Sequence, residues 1–307
     1  MANRKTIVVT GGSGQLGLTL QALWPHSALA ASYDLLAVSS SELDITSADS
    51  ISNALANSAN RVNREVAAII NAAAYTAVDA AEADSEQAYQ INETGVANLA
   101  AWAAEHNARL LHVSTDFVFA GNADSPYGQD SPVEPLGVYG ASKLAGERAI
   151  ARIWPQRSLV LRTSWLYSPY KNNFVKTMLR LMAERDSLNV VSDQIGSPTS
   201  THSLAQVLFA ALASDVEQGI YHWSDGAQIS WYDFAVAIQE EGLTQGLLTK
   251  PIAINPIPAS EYPTPATRPA YSVMDTAATQ RDFACPVQDW REELRNVIAQ
   301  LADSNSA

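Results

Sequence analysis

The chain has 307 residues, 47 % hydrophobic and 17 % charged, with a formal net charge of −13. This is the balance of a soluble globular protein with apolar material for one large domain or two coupled ones. Its acidic surface repels phosphate backbones and argues against nucleic acid as a partner, while a few local Arg and Lys can still line a pocket for a small anion. The single cysteine, Cys285, permits no internal disulfide, which fits a reducing compartment. No apolar run reaches the roughly 18 residues of a membrane span. MANRKTIVVTGG leads straight into a strand with no signal-peptide pattern, so no membrane partner is expected and the cytoplasm is the expected location.

Taken in chain order, the first 165 residues alternate short β-rich runs with longer stretches of helical apolar spacing. The strands are TIVVT (6–10), LLAV (35–38), AAIIN (67–71), LLHVST (110–115) and LVLRTS (159–164). Such alternation predicts an α/β fold: a Rossmann-type doubly wound parallel sheet covered by helices. Later runs at 188–193 and 220–225 are expected to extend that sheet. Residues 1–165 form the expected dinucleotide-binding part, and 166–307 mainly a smaller, mixed substrate lobe. Prolines between Pro251 and Pro269 forbid a long helix and predict an irregular loop. A final amphipathic helix is predicted over 287–302, followed by a tail, DSNSA, that is expected to fray.

The first strand ends in VVTGGSGQLG, which opens a helix. Gly11, Gly14 and Gly17 would allow a sharp turn, backbone approach to a pyrophosphate and close helix packing. The helix N-terminus, with Gln15 and Leu16, would supply free N–H groups and a favourable dipole to the phosphates. After the second strand comes SSSELD, with Ser39, Ser40 and Ser41 at the tip and Glu42 further on. Hydroxyls without an acid at the tip favour NADP(H), and no Arg is present to hold its extra phosphate. NADPH is the expected cofactor, with NADH as the alternative. Asp44 and Ile45 are placed beside the adenine.

The fourth strand ends in STDFVF, which puts Thr115 near the nicotinamide of a dinucleotide bound outside the strand ends. VYGASKLAGE puts Tyr139 and Lys143 four apart on one helix face. These parts suit carbonyl reduction. Thr115 and Tyr139 would hold the oxygen, the phenol would protonate it, and the Lys143 charge would lower the phenol pKa and hold the ribose. Alone, the Tyr–Lys spacing is equally that of a helix surface with a Lys143–Glu147 pair. The five histidines have no metal-ligand spacing, Ser230 and Asp233 resemble a capping box, and DAAEADSE (79–86) reads as a solvated acidic face.

Spread in order along nearly the whole chain are GGSGQLG (11–17), NAAAYTAVDAAE (71–82), STDFVFAG (114–121), YGASKLAGE (139–147), RTSWLY (162–167), NNFVKTMLRL (172–181), DQIGSPT (193–199) and YPTPATRP (262–269). With these motifs the sequence resembles the extended short-chain dehydrogenase/reductase superfamily and, within it, the dTDP-4-dehydrorhamnose reductase family. The resemblance implies reduction of a 4-keto nucleotide-sugar to dTDP-L-rhamnose, the last step of its synthesis for bacterial surface polysaccharide. By position it implies Thr115, Tyr139 and Lys143 as catalytic residues, and Asp116 and Trp165 as sugar contacts. It also implies Ala72, Ala73 and Ala74 as a small-residue wall beside the cofactor, and Arg268 near the substrate diphosphate. Two departures stand out. Phe117 replaces the usual Tyr, and Thr19 and His202 stand where some relatives carry magnesium-binding glutamates. Neither is a good hard-cation ligand, so no metal and a monomer or weak homodimer are expected. A reductase or epimerase of another nucleotide-sugar, and a non-catalytic NADP-binding subunit, are the competing readings.

Overall fold

The computed structural model describes residues 4–62 and 65–306. Met1 to Asn3 and Ala307, which belonged to the readings of the amino terminus and the tail, lie outside the described residues. β1 (Lys5–Thr10) leads through the glycine loop into α1 (Gln15–Leu23). Then come β2 (Tyr33–Val38), α2 (Ala48–Val62) and β3 (Val66–Asn71). Short helices α3 (Val78–Ala81) and α4 (Ser85–Tyr89) and a π-helical turn (Gln90–Gly95) lead to α5 (Val96–Glu105). β4 (Arg109–Thr115), α6 (Val138–Ile153) and β5 (Ser158–Thr163) follow.

The second half begins with β6 (Leu166–Tyr167), α7 (Phe174–Glu184) and β7 (Ser187–Val191). β8 (Ile195–Gly196), β9 (Thr199–Ser200) and α8 (Thr201–Ala213) come next. The chain continues with β10 (Gly219–Trp223), β11 (Ile229–Ser230) and α9 (Trp231–Thr244). It closes with β12 (Ala253–Ile257), α10 (Ala277–Phe283) and α11 (Trp290–Ser306). Among the described residues no helix is long and apolar enough to cross a membrane.

The main sheet runs β10-β5-β4-β3-β1-β2, parallel throughout. Its strands are near-continuous apolar runs because both faces are covered. Ile7 and Val9 face a core with Leu16, Leu20, Leu204 and Leu208, under α1 and α8. Val8 points the other way, to Ile51, Leu55, Leu99 and Ile150 under α2, α5 and α6. The chain leaves β1 toward β2 and resumes with β3 on the opposite side. That reversal opens a crevice at the carboxyl ends of β1 and β3. A separate core of Tyr167, Val175, Met178, Phe234, Ile238, Leu294 and Ile298 forms the lobe. The second half thus supplies this lobe, the edge strand β10 of the main sheet, and the helices α8 and α10 that pack against that sheet.

One expected strand goes elsewhere. Residues 188–193 do not extend the main sheet: β7 pairs in parallel with β12 in a separate two-stranded sheet. Its burial alternates, with Leu188 and Val190 inside and Ser187 and Asn189 exposed, the pattern of a strand covered on one face. β12 lies within the proline-rich stretch read as irregular, and carries Pro256 on an outer strand, where a missing N–H is tolerated. The last helix starts later than expected, at Trp290, and continues through Ser306.

α6 lies against the π-helical turn at a point of near-contact. A Cβ on Gly146 would come within 2.2 Å of the Asn92 carbonyl oxygen. Gly146→Ala is expected to destabilise the protein by roughly 1–3 kcal/mol through overpacking. Urea unfolding measures this, and an unchanged midpoint would mean that the two elements separate freely.

Candidate active site

The crevice is a cleft of about 820 Å³ between the sheet's carboxyl edge and the lobe. Gly11 adopts φ +69°, and a Cβ there would lie 2.8 Å from the Ala72 carbonyl and the Ala73 nitrogen. A Cβ on Gly17 would fall 2.4 Å from the Gly11 oxygen. The loop is therefore pressed against β3 and its own helix, and Gly14 is the N-cap residue of α1 with no side chain closing the helix end. This cradle fits the pyrophosphate of a dinucleotide, because the backbone leaves room for close approach and the start of a helix favours an anion. Gly11, Gly14, Gln15, Leu16 and Gly17 all line the cleft, as do Ala72, Ala73 and Ala74 opposite. The Gln15 side chain also binds the lobe, where its Oε1 accepts from Ser168 Oγ (2.8 Å) and Asn173 Nδ2 (2.9 Å).

At the adenosine end Ser40, Asp44 and Ile45 line the cleft. Asp44 Oδ1 accepts from the Thr46 N–H (2.9 Å) and hydroxyl (2.8 Å), which shapes the turn toward α2. Ser39 does not line the cleft. Its N–H and hydroxyl both donate to Glu42 Oε2, at 2.8 and 2.7 Å. Two expectations are corrected by this contact. Ser39 is engaged within the loop, and an acid does stand at the tip of β2, because SSSELD turns back on itself.

Thr115, Asp116, Tyr139 and Lys143 meet at the other end of the cleft. α6 has no N-cap side chain of its own; the Val138 N–H donates to Glu82 Oε1 at 2.8 Å, one residue ahead of Tyr139. The Thr115 hydroxyl donates to Asp116 Oδ1 at 3.1 Å and accepts the Phe117 N–H at 3.2 Å, and the Tyr139 ring meets Phe117 edge-on at 5.6 Å. Lys143 is 2 % exposed. Its Nζ donates to the Val113 carbonyl at 2.7 Å and lies 3.3 Å from His112 Nε2. Burial pushes the lysine down to about 8, with Glu147 opposing. Burial pushes the Tyr139 phenol up to about 12, with Thr115 opposing and Asp116 adding to the rise. Burial likewise lifts Asp116 to about 6, with Ser272 and Thr115 opposing. The expected lowering of the phenol is reversed in this structure, because desolvation outweighs any help from a lysine engaged by β4. Nor is there a surface Lys143–Glu147 pair: Glu147 is buried and bound to Arg162.

The acidic run 79–86 is only partly a solvated face. Asp79 Oδ2 pairs with Arg268 Nη2 at 2.7 Å and is lowered chiefly by that hydrogen bond, while Glu82 anchors α6. Arg268 thus makes an ion pair and also lines the cleft. Trp165 sits in the left-handed region at φ +45° and stacks on Trp231 at 3.6 Å, and both line the cleft. A Cβ on Gly196 would strike the Trp165 ring at 2.6 Å, so the DQIGSPT segment is shaped around that indole. Trp231 is a cleft residue that sequence reasoning missed, while His112, set aside with the other histidines, and Asn71, seen only as preceding the alanines, lie behind Lys143. Trp231 follows Ser230 and lies within the capping box that Ser230 forms with Asp233, which is present as expected, and only that helix-start role was read. Thr19 Oγ1 bonds Thr201 Oγ1 at 2.7 Å, and His202 Nδ1 lies 3.4 Å from Glu293 Oε2, a contact that raises the imidazole. Among the described residues no three His, Cys, Asp or Glu side chains are grouped to hold a metal.

Comparison with known proteins extends this arrangement to the whole chain. The family model of the RmlD substrate binding domain matches residues 5–303. A dTDP-4-dehydrorhamnose reductase of Aggregatibacter actinomycetemcomitans is 43 % identical over 298 residues, covering 95 % of this chain and 98 % of its own. That of Escherichia coli K12 is 38 % identical over 299 residues, covering 96 % and 97 %. The crystal structure of the Bacillus anthracis enzyme, in complex with NADP, superposes with a TM-score of 0.86 at 32 % identity, covering 97 % of this chain and 99 % of that one. The chain belongs to the RmlD family, the dTDP-4-dehydrorhamnose reductases.

Proposed function

We propose that this protein reduces the 4-keto group of dTDP-6-deoxy-L-lyxo-4-hexulose to dTDP-L-rhamnose, the final step of dTDP-rhamnose synthesis, with NADPH as its cofactor and NADH as an alternative. The observation that carries the reading is the meeting of Thr115, Tyr139 and Lys143 at one end of a cleft whose other end is the glycine cradle. The NADP bound to the Bacillus anthracis relative supports the cofactor assignment. Residues 1–165 would hold most of the dinucleotide and 166–307 most of the sugar nucleotide.

When bound, the cofactor supplies the hydride. Thr115 would donate a hydrogen bond to the carbonyl oxygen, and Tyr139 would give that oxygen its proton. A phenol pushed up to about 12 keeps its proton until charge develops on the substrate. Lys143 would then stabilise the phenolate. Asp116 and Trp165 would contact the sugar, with Trp231 extending the apolar wall. Arg268 would meet the diphosphate, exchanging the Asp79 carboxylate for phosphate oxygens.

Three outcomes are expected. Coupled oxidation of NADPH by the dTDP-4-keto sugar should proceed with the wild type, and Tyr139→Phe should lose roughly 10²–10⁴-fold in kcat while still binding NADPH; full activity in the mutant removes the proposed acid. Initial rates at limiting cofactor should favour NADPH, and a clear preference for NADH would instead give the Glu42 carboxylate the ribose hydroxyl. With Thr19 and His202 in place of carboxylates, size-exclusion should give a monomer or weak dimer unchanged by EDTA, and a dimer lost on chelation would refute the metal-free assignment.

A further inference from the structure

A line of buried polar side chains runs from the carboxyl ends of β1 and β3 to the middle of β4 and on to Lys143. Thr10 Oγ1 donates to Asn71 Oδ1 at 2.6 Å, Asn71 Nδ2 lies 2.9 Å from His112 Nδ1, and His112 Nε2 lies 3.3 Å from Lys143 Nζ. All four are buried, and His112 and Asn71 are 0 % and 1 % exposed.

A backbone group gives this line its direction. The Ala73 N–H can only donate, and its acceptor is Asn71 Oδ1 at 3.2 Å. Asn71 Oδ1 is therefore the carbonyl end and Nδ2 the donor. Nδ2 faces His112 Nδ1, which must accept and so carries no proton. Burial and then the Lys143 charge hold His112 well below the usual imidazole range, so the ring is neutral. A neutral ring with a bare Nδ1 carries its proton on Nε2. That N–H points at the lysine nitrogen.

A donor aimed at an ammonium group is a conflict, because both sides offer protons. A neutral amine resolves it by accepting. We propose that His112 is a positioning residue, locked as its Nε2–H tautomer by Asn71, which holds the Lys143 nitrogen against β4 and opposes its protonation. The effect rests on the proposed roles of Tyr139 and Lys143 and specifies them. In its ammonium form the lysine, kept easy to deprotonate, can pass one proton to the Tyr139 phenolate after each reduction; the neutral amine left behind accepts from His112 until it regains a proton from solvent in the cleft. The other charged groups around it are accounted for. Glu147 on α6 favours the ammonium but is bound by Arg162 of β5, with His222 of β10 behind that guanidinium. Tyr139 lies one turn back on α6, and Asp116 acts on the phenol.

The test needs no substrate. In ¹⁵N NMR of the histidine-labelled protein, the His112 signal, assigned by its loss in His112→Phe, should show a protonated Nε2 and a bare Nδ1, free and with NADPH. An Nδ1–H tautomer, or a charged ring at neutral pH, overturns the proposal. Asn71→Asp turns a donor into an acceptor and should reverse the tautomer, and His112→Gln can present a carbonyl to the amine. Both should raise the Lys143 titration midpoint, followed by ¹³C NMR at Cε, by about one unit, a roughly tenfold gain in proton affinity. An unmoved midpoint in both variants, folded by circular dichroism, also overturns it. If the variants do not fold, the wild-type tautomer alone decides. A protein with the expected tautomer but no activity on the 4-keto sugar fails the functional reading and not this one.

Discussion

The bidentate ion pair between Glu147 and Arg162 is the contact on which the site's geometry depends. Arg162 Nη2 lies 2.6 Å and Nε 3.0 Å from the two carboxylate oxygens, and both side chains are 3 % exposed. It ties the helix bearing Tyr139 and Lys143 to the middle of the sheet. Ser114 donates to the same carboxylate from β4, and Arg162 lies over the Phe119 ring at 5.1 Å. Burying two charges does not by itself stabilise a fold. Removing one partner, however, strands the other and typically costs about 3–5 kcal/mol. α6 thus has little freedom to slide relative to Thr115, and a shift of that kind would move the Tyr139 phenol away from the Thr115 hydroxyl.

The cleft exists because the lobe and the sheet are fastened at several points along it. Gln15 reaches from the glycine loop to Ser168 and Asn173, so the cradle and the start of α7 share one hydrogen-bond centre. Trp165, forced into the left-handed region where the chain leaves β5, is held by its stack on Trp231. Such strain persists only where the surroundings over-determine it, and here they present an indole to the cleft. The Asp79–Arg268 pair differs in kind. It is partly exposed, and pairs of that sort contribute only ~0–1 kcal/mol. An anionic ligand can therefore replace Asp79 at small cost, whereas Glu147–Arg162 must stay closed.

Periodicity and loop chemistry made much of this legible. The apolar runs that became β1, β3, β4 and β5 are buried on both faces and read as such, and the glycine spacing after β1 is bound to the turn it makes. Tyr139 and Lys143 were legible as one helix face because that relation is local. One failure was local: Ser39 looked free to bind phosphate, yet Glu42, three residues on, accepts from its N–H and hydroxyl. The others were non-local. Residues 188–193 looked like one more strand of the main sheet, although their one-sided apolar pattern already favoured a separate pairing. Asp79 and Glu82 looked like solvated charge because their partners lie far along the chain, at Arg268 and Val138.

By itself, then, the sequence determined most of the main sheet, the glycine loop, the Tyr–Lys helix and the family, since these rest on short-range geometry and on motifs in order. The tertiary structure alone decided which side chain meets which across the cleft. It raised the phenol instead of lowering it, sent Glu147 to Arg162 instead of Lys143, and aligned Asn71 and His112 behind the lysine. The physical reason is that burial and hydrogen-bond direction belong to contacts between distant segments, and no local pattern carries them.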